Sequence, residues 1–400
     1  EILITTPESL NLLLSSPRSL ENLSEIQTVI LDEIHAVAGS KRGTHLMTGV
    51  ERLTRLSGEF QRVAISATVR PIEIVADYVA GGSREEPRAI EVVNLGAKKR
   101  HQIEVRFVVN GPNLGAAGTT AGESGSEAPE PDVAPPPPGG EPFWEQLVPE
   151  IRRRVLANRS TLIFATNRRH AEKLAMLLNR DHPQLIAFAH HGSLSREVRL
   201  GVEERMKQGV LPSIVATSSL ELGIDVGAVE EVIFLKTPLS LTSTLQMAGR
   251  SGHQVGAVSR STFYPLFGRD LIDTAVAAQA VEEGWIEETH PPRAPLDVLA
   301  QVVLSMTGTE EWQVGEMLAL LRHSYPYRDL TRKQLELVLS MLAGKYAGTR
   351  IRELGRRVYY DRIHDRVTAP RESLRLIYHS GGTIPDRGYY GLKVRGKGAR

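Results

Sequence analysis

Short unbroken apolar runs alternate along this chain with longer runs of helical period. Val29-Ile30-Leu31 leads straight into Asp32-Glu33-Ile34-His35, and Arg62-Val63-Ala64-Ile65 leads into Ser66-Ala67-Thr68. Brief β-branched runs bounded by polar residues predict strands buried on both faces, as in a parallel sheet. Ile2 to Thr5 predicts another strand, ending at Thr6-Pro7-Glu8-Ser9. Pro7 suits the first turn of the helix that carries Leu10, Leu12, Leu13 and Leu14. Leu46, Val50, Leu53 and Leu56 predict a helix over 44–57, and Pro71 opens another that Gly81-Gly82 stops. Strands alternating with helices predict an α/β layer.

Ile103, Val105 and Phe107 alternate as one more strand, read here as part of that first layer. Residues 111–142, with Pro135 to Pro138 in their midst, contain few large apolar side chains and predict a disordered linker. A second α/β layer follows: a helix over Glu145–Ala157, strands at 160–166, 185–190, 213–217 and 231–235, helices between them, and one opening near Ser243. An Ala-rich helix spans Leu271–Glu283, and Pro291, Pro292 and Pro295 mark a boundary. Three helices (Leu296–Met306, Val314–Arg322, Arg332–Leu342) and a hairpin near 349–353 and 357–360 then give the plan of a winged helix, with Arg350, Arg352, Arg356, Arg357, Arg362 and Arg366 on or near the wing. The expected division is a first α/β domain over 1–110, a linker over 111–142 and a second α/β domain over 143–270. A connecting helix over 271–293, a winged helix over 294–370 and the start of a β-rich domain over 371–400 complete it.

Four hundred residues suit two or three domains. With Lys+Arg 48 against Asp+Glu 47, any positive surface must come from local clustering. The chain has no cysteine, which excludes disulfides and cysteine-ligated zinc and fits a reducing, cytoplasmic setting. No apolar run approaches the roughly 18 residues of a membrane helix, so no membrane partner is expected. The first residue is Glu1 and the opening already reads as a strand, so the chain is expected to be a piece of a longer protein.

Asp32 and Glu33 would stand at the carboxyl end of their strand, where open α/β sheets bind ligands. Paired carboxylates there suit a magnesium ion and the polarisation of a water. They equally suit an acidic N-cap. Trp312 can be a base-stacking platform or a core residue.

The remaining motifs resolve that choice by resemblance. Thr6-Pro7-Glu8-Ser9, Asp32-Glu33-Ile34-His35 and Ser66-Ala67-Thr68 precede Thr217-Ser218-Ser219-Leu220-Glu221-Leu222-Gly223-Ile224-Asp225 and Gln246-Met247-Ala248-Gly249-Arg250-Ser251-Gly252-His253. This ordered series resembles that of superfamily 2 helicases. With His191-Gly192-Ser193-Leu194-Ser195 and the stretch from Ser380 to Gly388, it is most similar to the large helicase-related (Lhr) proteins.

The resemblance implies two RecA-like domains, the first incomplete, followed by a winged helix, and an ATP-dependent helicase using ATP and Mg2+. It implies Asp32 as the magnesium residue with Glu33 beside it, Glu33 as the base for the attacking water, and His35 as a link to neighbouring motifs. Ser66 and Thr68 would couple hydrolysis to domain movement. Arg250 would be the arginine finger with Gln246 beside it, and Gly223 and Asp225 would approach the nucleotide. Thr6, Ser9, Thr166, His191, Thr217 and Ser218 would contact the phosphates of single-stranded nucleic acid, DNA favoured and RNA or an RNA:DNA hybrid left open. Taken singly, each is more often a cap or turn residue. Many superfamily members carry Arg where this chain has Met247 and His253, which leaves Arg250 as the finger. Nothing matches G-x-x-x-x-G-K-[ST], the phosphate-cradling loop, which the family places upstream of Thr6. The competing reading is a nucleic-acid-binding scaffold that does not hydrolyse ATP.

Overall fold

A computed structural model describes residues 1–94, 99–107, 141–217, 227–252, 258–266, 268–345 and 355–384. Ser218, Gly223, Asp225, His253, Arg350 and Arg352 lie outside the described residues, as do the strand expected at 349–353 and all but the last two residues of the expected linker. The chain divides into two units, residues 1–94 with 288–400, and residues 95–287.

The first unit opens with α1 (Pro7–Leu14) and α2 (Pro17–Leu23), then β1 (Thr28–Leu31), α3 (His35–Ala38), α4 (Lys41–Ser57), β2 (Gln61–Ala64) and α5 (Ile72–Ala80). β1 and β2 run parallel, from Thr28 opposite Gln61 to Leu31 opposite Ala64. Val29 and Leu31 point into a core with Ile34, Met47, Val50, Val75 and Tyr78. Burial on both faces, as expected from the sequence, is not found: Ile30 is 63% exposed and Ile65 54%. Alternate side chains leave a strand on opposite faces, and the helices cover only one of them. Ile2 to Thr5 likewise forms no strand, and Ile2 and Ile4 are exposed. Extended backbone becomes a strand only against a neighbour that completes its hydrogen-bond ladder. At Gly43 a Cβ would overlap the Val37 carbonyl and the Tyr78 hydroxyl, so α3, α4 and α5 converge on a residue without a side chain.

The second unit contains β3 (His101–Val105), α6 (Glu141–Ala157), β4 (Thr161–Phe164), α7 (Arg168–Asn179), β5 (Ala187–His190) and α8 (Arg196–Lys207). β6 (Ser213–Ala216), β7 (Glu231–Phe234), α9 (Leu241–Ala248), β8 (Ser259–Phe263) and α10 (Gly268–Glu283) follow. Six strands order as β3-β8-β7-β4-β6-β5, every neighbouring pair parallel. Here the unbroken apolar runs do mean burial on both faces. Leu162, Ile214 and Val232 enter one core, and Ile163, Val215 and Ile233 the other.

This sheet corrects the expected boundary at 110. β3 pairs with β8 from His101 opposite Ser259 to Val105 opposite Phe263, so it belongs to the second unit. α6 starts at Glu141, four residues ahead of the expected start, and brings Phe143 and Trp144 into the core. α10 packs on β3 and α9 within the second unit instead of serving as a connector.

Residues from Glu288 onward rejoin the first unit. They form α11 (Leu296–Thr307), β9 (Trp312–Gln313), α12 (Val314–His323), α13 (Arg332–Leu342), β10 (Tyr359–Asp361), β11 (Arg366–Thr368) and α14 (Leu374–His379). β10, β11 and β9 make a small antiparallel sheet, its hairpin later in sequence than expected. Trp312 is a core residue: it is buried, its Nε1 donates to the Met306 carbonyl at 3.2 Å, and the Arg55 guanidinium covers its ring at 4.1 Å. The described part of 371–400 is not the start of a β-rich domain, because α14 packs on α11 and Ile377 enters the winged-helix core. Arg52 ties the two parts of this unit together. Buried in α4, it donates to Asn11 Oδ1 (3.3 Å), the Leu14 carbonyl (2.9 Å) and Ser305 Oγ on α11 (2.8 Å).

Candidate functional site

In the first unit, Asp32 and Glu33 follow the carboxyl end of β1, and Ser66 follows that of β2. The strands' pairing continues beyond both, through Ile65 N to Leu31 O (2.9 Å) and Ile34 N to Ile65 O (3.1 Å). Asp32 is exposed, and its Oδ1 accepts the Glu33 N–H at 2.9 Å. Glu33 has a φ of +50°, a left-handed conformation uncommon outside glycine.

His35 joins the two strand ends. Its Nδ1 accepts the Ala67 N–H at 3.1 Å and lies 3.4 Å from Ser66 Oγ, while its Nε2 lies 3.4 Å from Glu33 Oε2. An Nδ1 that accepts a backbone N–H leaves the proton of the neutral ring on Nε2, facing the Glu33 carboxylate. The structure therefore brings Asp32, Glu33, His35 and Ser66 together. Thr68 is exposed in the turn after Ser66.

Thr6 and Ser9 hydrogen-bond each other at the start of α1. Thr6 Oγ1 accepts the Ser9 N–H at 3.2 Å and caps α1, and the Thr6 hydroxyl donates to Ser9 Oγ at 3.2 Å. Between them in sequence, Glu8 forms a bidentate pair with Arg42 (2.6 and 3.1 Å). That guanidinium holds the Glu8 carboxyl at a pKa of about 2.

In the second unit the expected residues fall into two groups. Thr166, Thr217 and His191 follow the carboxyl ends of β4, β6 and β5, which are neighbours in that order. Adjacent strands lie about 4.8 Å apart, so the three make a row along one sheet edge. Thr166 is exposed, its hydroxyl 2.6 Å from His170 Nδ1. His191 is buried, its Nε2 3.1 Å from Glu172 Oε1, so its ring faces a carboxylate rather than solvent.

Gln246 and Arg250 form the other group. They are four residues apart, on one face of α9 and its C-terminal extension. Ser251 bridges Val229 and the Gly252 N–H donates to Val229 O at 3.1 Å, just ahead of β7. Arg250 therefore lies by the amino ends of the strands, opposite the edge that holds Thr166.

Both ends of α9 are held by charges that the sequence pattern did not single out. Glu287 accepts from Leu241 N (2.5 Å), Thr242 N (3.0 Å) and Thr242 Oγ1 (3.1 Å). Burial raises the pKa of its carboxyl, and these donors more than reverse that, leaving it below the usual value. At the other end Lys99 Nζ reaches the carbonyls of Gly249 and Ser251. Neither residue lies in a motif, and each acts on a helix distant in sequence, so no local spacing could have revealed it.

In the first unit, exposed Asp32 with spare carboxylate lone pairs has donor chemistry that fits a divalent cation; in the second, Gln246 Nε2 is buried without a partner among the described residues. Among those residues no cluster of three or more His, Asp or Glu side chains forms a metal site of its own, and no helix is long and apolar enough to cross a membrane.

Comparison with known proteins agrees with this layout. Residues 1–75 match the DEAD/DEAH box helicase model, 144–254 the helicase conserved C-terminal domain, and 279–400 the winged helix domain of large helicase-related protein. The chain is 38% identical to the Lhr helicase/uracil glycosylase of Escherichia coli K12 over 98% of its own length and 27% of that protein's. It is 36% identical to an ATP-dependent helicase Lhr-Core protein of Thermococcus barophilus, over 96% of the chain and 42% of the relative. Among solved structures, Mycobacterium smegmatis helicase Lhr bound to ssDNA and AMP-PNP superposes with a TM-score of 0.79 at 40% identity, over 96% of this chain and 46% of that one. The chain thus spans less than half the length of these relatives. Two helicase segments in order, a matching winged helix and this identity over nearly all its residues show that the chain belongs to the large helicase-related (Lhr) family of helicases.

Proposed function

We propose that the full-length protein carrying this chain couples ATP hydrolysis to movement along single-stranded DNA. The observation that carries the reading is the His35 bridge, which joins the Glu33 carboxylate to the Ser66-Ala67 turn and so links a reacting group to a neighbouring strand end. Glu33 would take the proton of the attacking water, oriented by its left-handed backbone and by His35 Nε2. Asp32 would hold Mg2+ by way of water, and the ion would neutralise charge on the phosphates. Arg250 would place its guanidinium on the γ-phosphate with Gln246 beside it, and Gly223 and Asp225 would approach the same nucleotide. Thr68 would follow Ser66 in coupling hydrolysis to movement. Thr6, Ser9, Thr166, His191, Thr217 and Ser218 would contact strand phosphates, and of those described Thr6, Ser9 and Thr166 are exposed. The related helicase solved with ssDNA and AMP-PNP, an ATP analogue, supports both ligands.

Glu33→Gln in the full-length protein is expected to lower ssDNA-stimulated ATP hydrolysis by about 100-fold or more, with ssDNA affinity little changed. Hydrolysis at the parent rate would remove Glu33 from the role of base. Residues 1–400 alone, without a phosphate-cradling loop, are expected to bind ssDNA without hydrolysing ATP.

A further inference from the structure

We infer that Lys99 is a positioning residue that clamps the backbone on both sides of Arg250 and so fixes where that guanidinium can reach. The inference rests on the assignment of Arg250 to the γ-phosphate. Lys99 Nζ donates to the Gly249 carbonyl at 2.6 Å and to the Ser251 carbonyl at 2.5 Å, the carbonyls of the residues before and after Arg250. The preceding carbonyl, of Ala248, is taken by Ser259 Oγ (2.5 Å) and Ser251 Oγ (3.0 Å), and these two hydroxyls lie 2.8 Å apart. Three carbonyls at and just beyond the end of α9 thus have side-chain donors.

The final carbonyls of a helix lack intrahelical partners and carry partial negative charge, which an ammonium group both satisfies and neutralises. The clamp has a firm base. Lys99 sits two residues before β3, and the Ser259 N–H donates to the Arg100 carbonyl at 2.9 Å, extending the β3–β8 ladder to its neighbour. Lys99 and the Ser251 and Ser259 hydroxyls therefore hold the Arg250 segment against β8 and the lead into β3. Without the ammonium, the Gly249–Arg250 and Ser251–Gly252 peptides would lose the donor that fixes their carbonyls, and the backbone carrying Arg250 between them would be freer to move. Lys99 itself would then be part of the catalytic geometry without touching the nucleotide.

The test uses the full-length protein with Lys99→Met, Lys99→Arg, Arg250→Ala and the double variant Lys99→Met with Arg250→Ala. Lys99→Met is expected to lower kcat for ssDNA-stimulated ATP hydrolysis by about 10- to 100-fold, as a displaced reacting group does, with KM for ATP within about twofold of the parent. Lys99→Arg, which can donate to both carbonyls, is expected to recover most of the rate. Adding Lys99→Met to Arg250→Ala is expected to cost nothing further, the non-additivity of two residues acting as one.

A second readout needs no nucleotide. Hydrogen exchange across 249–252 is expected to speed up about tenfold in Lys99→Met and stay at the parent rate in Lys99→Arg, with the thermal midpoint shifted by no more than about 4 °C. If Lys99→Met lowers that midpoint further, the exchange and kcat of Lys99→Arg and of Lys99→Gln, which keeps an amide donor, decide in its place. Parent-level kcat and exchange in Lys99→Met, beside an inactive Arg250→Ala, would overturn the clamp and leave Arg250 in place. An active Arg250→Ala would overturn the assignment of Arg250 and this inference with it, whatever the exchange of Lys99→Met. Additive losses in the double variant would show that Lys99 acts elsewhere.

Discussion

His35 and His45 show how one residue type takes opposite roles at the two ends of a short segment. His35 is held between a backbone N–H and a carboxylate at the strand ends. His35→Ala is expected to reduce the stimulation of ATP hydrolysis by ssDNA several-fold while ssDNA affinity without nucleotide is retained, a split read from ATPase rates with and without strand. His45 is buried in α4, where burial, with Arg52 nearby, pulls its pKa down to about 4. A neutral histidine of this kind stabilises the fold fully above its unfolded pKa of about 6.5, and that contribution is lost as pH falls towards 4. The loss should reach roughly 3 kcal/mol in urea titrations at pH 7.5 and pH 4. His45→Leu should flatten that pH dependence, leaving what the carboxylates contribute at lower pH.

At the scale of elements, α4 concentrates the buried charge of the first unit. Glu51 is buried and pairs with Arg62 (2.7 Å) and Arg88 (3.0 Å), and Arg62 and Arg88 also cap carbonyls at the end of α5. A Cβ on Gly81, whose φ is +63°, would strike Glu51 Oε1, so this network depends on the glycine that ends α5. One turn along α4 from Glu51 and Arg52, Arg55 pairs with Glu310 and covers Trp312 while remaining half exposed. The difference in burial sets the expected costs. Arg52→Met strands Asn11, the Leu14 carbonyl and Ser305 in a buried setting and should cost roughly 3 kcal/mol of unfolding free energy. Arg55→Ala, losing an exposed ion pair and a cation–π contact, should cost about 1 kcal/mol. Denaturant titration of both variants makes the comparison.

On the scale of the molecule, the winged helix and the first α/β segment are one unit built from the two ends of the chain. Leu12 of α1 packs on the winged-helix core, Tyr78 of α5 meets Tyr325 edge-on at 5.9 Å, and Ser15 and Ser305 hydroxyls lie 2.6 Å apart. Amides of α4 and α11 should therefore share one hydrogen-exchange protection level and open together. Arg52→Met should lower both by the same amount. Separate opening of α11 would show that the seam between them carries little of the stability.

Much of this was legible in the residues alone, where the determining interactions are local. α13 spans Arg332–Leu342 as its periodicity predicts, because Thr331 and Gln334 close a capping box at its start. The strands and the polar residues at their ends follow from unbroken apolar runs meeting polar residues, and the motif order marked the family. Choices of distant partner needed the tertiary structure. β3 reads as a strand on either side of a boundary, and only pairing with β8 assigns it to the second unit. Ile2 to Thr5 has the composition of a strand and forms none, since a strand is a property of two segments. Trp312 could have stacked on a base until Met306 and Arg55 enclosed it. Lys99 has no signature in sequence because its partners, Gly249 and Ser251, offer backbone carbonyls that every residue type possesses.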